Sequence, residues 1–529
     1  LSNVEEEGYP VTRLFDGMPL RKTGQTVTPP TNEASFFTFQ EPDDYDRFRD
    51  VLAKAGYTDS GVLEALGVKD FPSIRASETP LLLRRTNRET PLDIIIRLFL
   101  IEVPCGLKDV QRAMQPLSVE TLARAGLVEM TGSSVTAAVN LLPFRNLVLG
   151  FDLPRRLQTP QRHDYVMGIA SSTLTIANLT VRRHVRSTLD LGTGCGTQAL
   201  LAAPHSDRVV AVDRNPRAVR LATFNARLNG LSHVECLEGD FFEPVRGETF
   251  DLVVTNPPFV ISPETRYIYR NGAMEADQVC RSIVHQVPRF LNEGGYCQIL
   301  CNWAHLGGQD WRERLAGWFE GTGCDVWVMR SETRDAETYA STWIRHTERD
   351  EPEAFRERFD RWLAYYESQR IEAVSAGVIT MRRTTGRVNW YRCDDAPEKM
   401  VGPCGDCIVR GFELHDFLET VGEDSALLDT RLKVSPHVRL HRQSEPSSDG
   451  WIDVAADLHL ARGLAYTGTV DPYVANLVVG CDGRRPLREL VAEMAASSGK
   501  SQVDLAPAVS RVVRSLIERG FLWPEHFPV

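Results

Sequence analysis

Asp190-Leu-Gly192-Thr-Gly194-Cys-Gly196 decides how this chain is read. It follows directly on an apolar run at 187–191 and opens a helical pattern. Glycine is needed where the backbone turns tightly and approaches a ligand, because a Cβ would block the way. A dinucleotide loop of the form GxGxxG would need glycine at 197, but the chain has Thr197 there, and Gly196 makes the pattern GxGxG. Alone, the loop fits several nucleotide-type ligands or a plain tight turn. From about residue 186 apolar strands alternate with helices, the signature of a parallel sheet covered on both faces. Strands are expected at 187–191, 208–213, 234–238, 251–255, 296–301, 325–329 and 377–381. Between the last two, residues 331–376 carry Trp343, Phe355, Phe359, Trp362 and Tyr365 at mostly helical spacing and read as a helical insertion whose aromatics pack a core.

Three further signals sit at strand ends. Asp213 closes the second strand, where a carboxylate can accept both ribose hydroxyls of a nucleoside, and Arg214 follows it. Gly239-Asp240-Phe241-Phe242 follows the third strand, with a carboxylate and rings placed to bond and stack an adenine. Asn256-Pro257-Pro258-Phe259 ends the fourth. Two consecutive prolines cannot continue a ladder, so the strand must break at the carboxyl edge of the sheet, where such folds bind ligands. The Asn side-chain oxygen and a proline carbonyl can each accept a proton from a planar NH2 group, and the Phe ring can stack on its plane. Holding that nitrogen in line with an electrophilic methyl is catalysis by positioning.

In this order the four elements resemble the class I S-adenosylmethionine-dependent methyltransferases, in the N-methyltransferase branch marked by Asn-Pro-Pro-aromatic. The run 190–196, Ala211-Val-Asp213-Arg-Asn-Pro216, Asn225 and Phe250-Asp-Leu-Val-Val-Thr-Asn256-Pro-Pro-Phe259 resembles the glutamine methyltransferases of peptide-chain release factors over about residues 165–330. Those enzymes usually end the motif with Tyr; Phe is commoner where base amino groups of RNA are methylated. The whole layout, with Tyr269-Arg-Asn-Gly272 and Asn302-Trp303, resembles an actinobacterial methyltransferase family. The resemblance implies a doubly wound, seven-stranded Rossmann-like α/β domain that binds S-adenosyl-L-methionine. Asp190, Gly192, Thr193, Gly194 and Gly196 are implied at the methionine end, Asp213 and Arg214 at the ribose, and Asp240 with Phe241 at the adenine. Asn256 would serve both cofactor and acceptor, with Pro257, Pro258 and Phe259 completing the catalytic set.

The chain has 529 residues, more than one core normally serves. Residues 1–41, rich in Thr, Pro, Gly and Glu, read as an arm. Residues 42–160 read as a helical, winged-helix-like domain, 161–395 as the methyltransferase domain, and 396–529 as a second winged-helix-like module. Within the first, helices at 92–101, 107–114 and 118–125 precede a hairpin of 127–129 with 135–141. In the last, Leu487, Leu490, Val491 and Met494 share a helix face, as do Val509, Val512, Val513, Leu516 and Ile517, before a strand at 521–523. A net charge of −11 is awkward for a protein held to nucleic acid by phosphate contacts. No apolar run reaches the ~20 residues of a membrane helix, and the acidic N-terminus lacks a secretory pattern. Eleven cysteines in this length are not a disulfide scaffold. The expectation is a cytoplasmic, bacterial enzyme with a macromolecular acceptor, protein favoured over RNA, and no membrane partner; a small peptide acceptor and a cofactor-binding scaffold are the alternatives. Cys404-Gly-Asp-Cys407, with Cys393 and His415, has zinc-type donors, but one CxxC is half a site, so packed thiols are expected and no metal.

Overall fold

Seven of the strands of the central sheet lie where the apolar runs place them, and the runs explain why. Val209, Val210, Ala211 and Val212 are all fully buried, as are Leu189 and Leu191. That is the continuous apolar pattern of a parallel sheet covered on both faces. The computed structural model describes residues 36–71, 78–158, 163–264, 275–345, 352–448 and 450–527. Most of the arm expected at 1–41, and Tyr269-Arg-Asn-Gly272, lie outside the described residues.

The sheet strands are β1 (Val185–Leu191), β2 (Ser206–Asp213), β3 (Val234–Glu238), β4 (Phe250–Thr255), β5 (Leu291–Leu306), β6 (Cys324–Asp335), β7 (Ile371–Arg383) and β8 (Tyr391–Asp395). Their order is β3-β2-β1-β4-β5-β7-β6-β8. β1 to β5 pair in parallel, and β7 runs antiparallel to both β5 and β6. Among the described residues the sheet therefore has eight strands, not the expected seven. β8 has no apolar alternation to announce it; Val326 N donates to Trp390 O at 2.9 Å, and Trp327 Nε1 donates to Asp394 at 2.9 Å. The strand order reverses between β1 and β4, which opens a crevice at their carboxyl ends.

Around this sheet the helices are α1 (Ser171–Leu179), α2 (Thr197–Ala202), α3 (Pro216–Leu228), α4 (Gln278–Gln286), α5 (Trp311–Ala316), α6 (Ala336–Arg345) and α7 (Pro352–Ser368). α6 and α7 are the insertion between β6 and β7; Trp362 and Tyr366 are buried in it, while Phe355 and Phe359 are half-buried.

Residues 36–158 pack into the same compact unit as the sheet. Tyr45, Phe48, Val51 and Leu52 bury one face of the helix Asp43–Lys54. Helices Pro91–Phe99, Leu107–Ala113 and Val119–Arg124 precede the antiparallel strands Val128–Thr131 and Ser134–Ala137, which Cys105–Gly106 joins as a third strand. The hairpin expected to run through 141 ends at Ala137. Val139–Phe144 instead pairs with Leu147–Asp152. The run is buried almost throughout, so its own pattern could not say which partner it takes. Two asparagines one turn apart, Asn225 in the last turn of α3 and Asn229 just past its end, cap the free edge of Leu147–Asp152. Asn225 accepts from Gly150 N at 2.7 Å and Asn229 from Val148 N at 2.8 Å, and both amides donate back to the same residues. They satisfy the edge as a neighbouring strand would.

Residues 178–183 and 395–529 form a second compact unit. It contains the helix Gly405–Val421, a three-stranded sheet (Arg431–Val434 between Asp482–Pro486 and Leu522–Pro524) and a longer antiparallel sheet centred on Gly450–Leu460. Leu487, Leu490, Val491, Val509, Val513, Leu516 and Ile517 are buried on the expected faces of Leu487–Ser498 and Gln502–Glu518, with Trp523 at 1% exposure.

Candidate active site

Four strand ends deliver one cavity. Its wall includes Gly192–Cys195 after β1, Asp213–Asn215 after β2, Gly239–Phe241 after β3 and Asn256–Pro258 after β4. Thr193, Arg214 and the other sequence-derived residues Gly192, Gly194, Asp213, Asp240, Phe241, Asn256, Pro257 and Pro258 are thus brought together. The reversal point between β1 and β4 is what places the glycine loop beside the Asn-Pro-Pro turn.

The loop glycines divide into two kinds. Gly192 (φ +70°) and Gly194 (φ +56°) line the cavity, and a Cβ on either would meet nothing within 4 Å. Their absent side chains leave room for a ligand, and their left-handed backbone is cheap only for glycine. Gly196 (φ +88°) stands away from the cavity wall: a Cβ there would come within 2.9 Å of Leu200 Cδ1 and 3.2 Å of Ala222 Cβ. Its role is close packing of α2 against α3.

Asp190 also stands behind the wall. It is 1% exposed, and its Oδ2 accepts from Thr193 Oγ1 at 2.6 Å and from Ala199 N at 3.0 Å. Through that one oxygen the carboxyl braces the loop against the start of α2. Burial pushes its pKa to about 7, although those two hydrogen bonds oppose the shift. Asp213 does line the cavity. Its Oδ2 accepts from Gly194 N and its Oδ1 from Asn215 N, both at 2.9 Å, and burial raises its pKa. Each oxygen keeps a second lone pair for a ligand. Asp240 lines the wall below Phe241, whose φ of +46° is unusual for a bulky residue. Phe242 turns the other way and stacks on Phe290 at 4.3 Å.

Asn256 is a wall residue whose hydrogen bonding is incomplete. Its Nδ2 reaches Ser172 Oγ at 3.5 Å, while its Oδ1 is buried with no partner among the described residues. A buried amide oxygen without a donor costs about 1–3 kcal/mol, a cost a bound N–H group removes. Phe259, expected over the acceptor, lies outside the wall and meets Trp343 of α6 edge-on at 6.2 Å. The insertion draws it there: Tyr339 Oη accepts from Ile261 N at 3.2 Å, and Tyr366 Oη donates to Ile261 O at 2.8 Å.

Sequence reasoning did not assign Tyr165–Gly168, Thr173, Gln198, Asn215 and Val279, which also line the wall. Asn215 lies inside the quoted run 211–216 and Gln198 two residues past the glycine loop, a signal within reach; Tyr165–Gly168 and Val279 carry none. Of the zinc-type donors, Cys404 is buried at the start of Gly405–Val421. Among the described residues no three His, Cys, Asp or Glu side chains gather as a metal site, and no helix is long and apolar enough to cross a membrane.

The methyltransferase small domain family matches residues 169–321, and two families described as domains of unknown function, DUF7059 and DUF7782, match 54–138 and 410–524. A release factor glutamine methyltransferase of Geobacter sulfurreducens is 35% identical over 163 residues, 28% of this chain and 54% of that protein. A provisionally named protein N5-glutamine methyltransferase of Methanocaldococcus jannaschii is 35% identical over 136 residues, 24% of this chain and 68% of that protein. The release factor glutamine methyltransferase of Escherichia coli is 33% identical over 127 residues, 22% of this chain and 46% of that protein. The chain spans about half the length of most of these relatives. Among solved structures, the YcgJ protein of Bacillus subtilis superposes with a TM-score of 0.27 at 15% identity, covering 41% of this chain and 99% of that one.

Proposed function

Because the chain belongs to the class I S-adenosylmethionine-dependent methyltransferases, with release-factor glutamine methyltransferases among its relatives, we propose that it methylates a side-chain amide nitrogen, a glutamine of a protein acceptor. The observation that carries this reading is the buried, partnerless Oδ1 of Asn256 in the Asn-Pro-Pro turn beside the glycine loop.

The wall residues fit the cofactor. Gly192 and Gly194 leave their Cβ space open, Asp213 keeps lone pairs for a ribose diol, and Asp240 with Phe241 offers a carboxylate and a ring to an adenine. S-adenosylmethionine, when bound, supplies a methyl group on a sulfonium. The Asn256 and Pro257 oxygens would accept the two N–H bonds of the acceptor amide and hold its lone pair in line. The same oxygens stabilise the positive charge that develops on nitrogen, so the amide can shed its proton afterwards without a dedicated base. A protein acceptor is favoured by the relatives named for protein glutamine and by the net charge of −11. The helix and strand order of residues 91–137 and 487–524 supports winged-helix-like modules that add surface for a macromolecule.

Radiolabelled methyl transfer into whole lysate, split by protease and by ribonuclease, tests the acceptor. Label that survives ribonuclease and disappears with protease is expected; label lost to ribonuclease would move the acceptor to an RNA base. Replacing Asn256 by Ala is expected to lower transfer by about 10²-fold while cofactor binding by calorimetry is retained. Unchanged transfer in that variant would point to a cofactor-binding scaffold.

A further inference from the structure

Gln198, in the first turn of α2, is 6% exposed and lines the cavity. Its Nε2 donates to Thr173 O at 3.0 Å, and its Oε1 is buried with no hydrogen-bond partner among the described residues. The bond to a carbonyl fixes which way the amide faces, since the reverse would set two oxygens against each other. The start of α1 therefore holds two cavity-wall amides through neighbouring residues, Asn256 at Ser172 and Gln198 at Thr173. Each leaves a carbonyl oxygen unspent.

The Asn256 oxygen is taken by the acceptor in the reading above. The Gln198 oxygen belongs with the glycine loop, whose residues Gly192–Cys195 line the same wall and lead into α2 through Gly196. An amino-acid end lodged against that loop brings an ammonium group, which has donors only. Asp190, the nearby carboxylate, is absent from the wall, and its Oδ2 accepts from Thr193 and Ala199. Gln198 Oε1, buried and without a hydrogen-bond partner among the described residues, is placed to accept from the ammonium.

We propose that Gln198 is a cofactor-binding residue that accepts a hydrogen bond from the α-ammonium of the cofactor's methionine moiety. This rests on the reading of the cavity as an S-adenosylmethionine site. Calorimetric binding of S-adenosylhomocysteine, its deaminated analogue and methylthioadenosine to the full chain and to Gln198→Met tests it. The unaltered protein should bind S-adenosylhomocysteine at least tenfold more tightly than the deaminated analogue, the scale of a hydrogen bond to a charged group. Gln198→Met should lose that discrimination and keep its affinity for methylthioadenosine, which has no amino-acid end and reports an intact fold. If Gln198→Met fails to fold, the unaltered protein still decides: equal affinity for the two homocysteine ligands would overturn the proposal. So would a folded variant that discriminates like the parent, or one whose cofactor affinities are unchanged while methyl transfer falls, which would give Gln198 to the acceptor. An unaltered protein that binds none of the three would remove the cofactor reading and this inference together.

Discussion

Asp190 illustrates how one residue can be placed correctly in a motif and do different work from its neighbours. Its carboxyl is fully enclosed, with a pKa pushed to about 7 by burial against an ordinary value of 3.8. Below about pH 4 the carboxyl is protonated in folded and unfolded chains alike. Between about 4 and 7 only the unfolded chain gives up its proton, so the contribution to stability falls as pH rises through that window, by about 1.4 kcal/mol per unit, and levels off above it. Asp190→Asn is expected to remove this slope. Melting temperatures of the two proteins should diverge from pH 4 to 7, the variant gaining; a constant gap across that range would contradict the buried, proton-holding carboxyl. The glycines separate by the same logic. Gly196→Ala should cost about 1–3 kcal/mol in denaturant unfolding, because its Cβ meets Leu200 and Ala222 at positive φ. Gly194→Ala should cost about 1 kcal/mol and act chiefly on cofactor affinity, since its Cβ enters open cavity space. Similar stability losses with unaffected binding would refute the division.

Among the elements, the insertion α6–α7 is the one whose purpose lies outside itself. Tyr339 and Tyr366 grip both backbone groups of Ile261, and Tyr365 Oη accepts from Ala276 N at 2.9 Å. The segment leaving the Asn-Pro-Pro turn is thus held at Ile261 and again at Ala276. Tyr339 also accepts from Asn302 Nδ2 at 2.8 Å, tying the grip to β5. Replacing Tyr339 and Tyr366 together by Phe removes the hydroxyls and keeps the rings. We expect methyl transfer to fall about tenfold through misplacement of the turn, with cofactor affinity retained and a stability loss of about 1–3 kcal/mol. Single-turnover rates beside binding isotherms would show it; a loss confined to cofactor affinity would contradict the positioning role. Helical spacing made this insertion legible, with Tyr365 among the aromatics read as core; Tyr339 and Tyr366 were not singled out, and the hydroxyl contacts of the three with residues 261 and 276 are too remote in sequence to be seen.

For the molecule as a whole, two compact units with separate apolar cores imply unfolding that is not two-state. Scanning calorimetry should resolve more than one transition, and S-adenosylhomocysteine at 100 times its dissociation constant should stabilise the transition of the cavity-bearing unit by about 2.7 kcal/mol. A ligand shift shared equally by every transition would show the units to be one cooperative body. The seven strands, the glycine loop and the Asn-Pro-Pro turn were all legible, because strands of a sheet covered on both faces are largely apolar, whether they pair in parallel like β1–β5 or antiparallel like β7, and because glycine and proline constrain the backbone by themselves. The eighth strand was not, since Tyr391–Asp395 is recruited by Trp390 and Asp394 contacts to β6 rather than by a pattern of its own. Nor could the sequence say that Phe259 turns to Trp343, that Asp190 is sealed behind its loop, or that Gln198 and Asn256 share an anchor at the start of α1. What the sequence by itself determined is where the backbone turns and which faces are buried, both local consequences of residue type. Which side chains face the cavity, and which polar atoms are left unpaired there, only the tertiary structure decided, because hydrogen-bond partners are assigned by the packing of segments tens of residues apart.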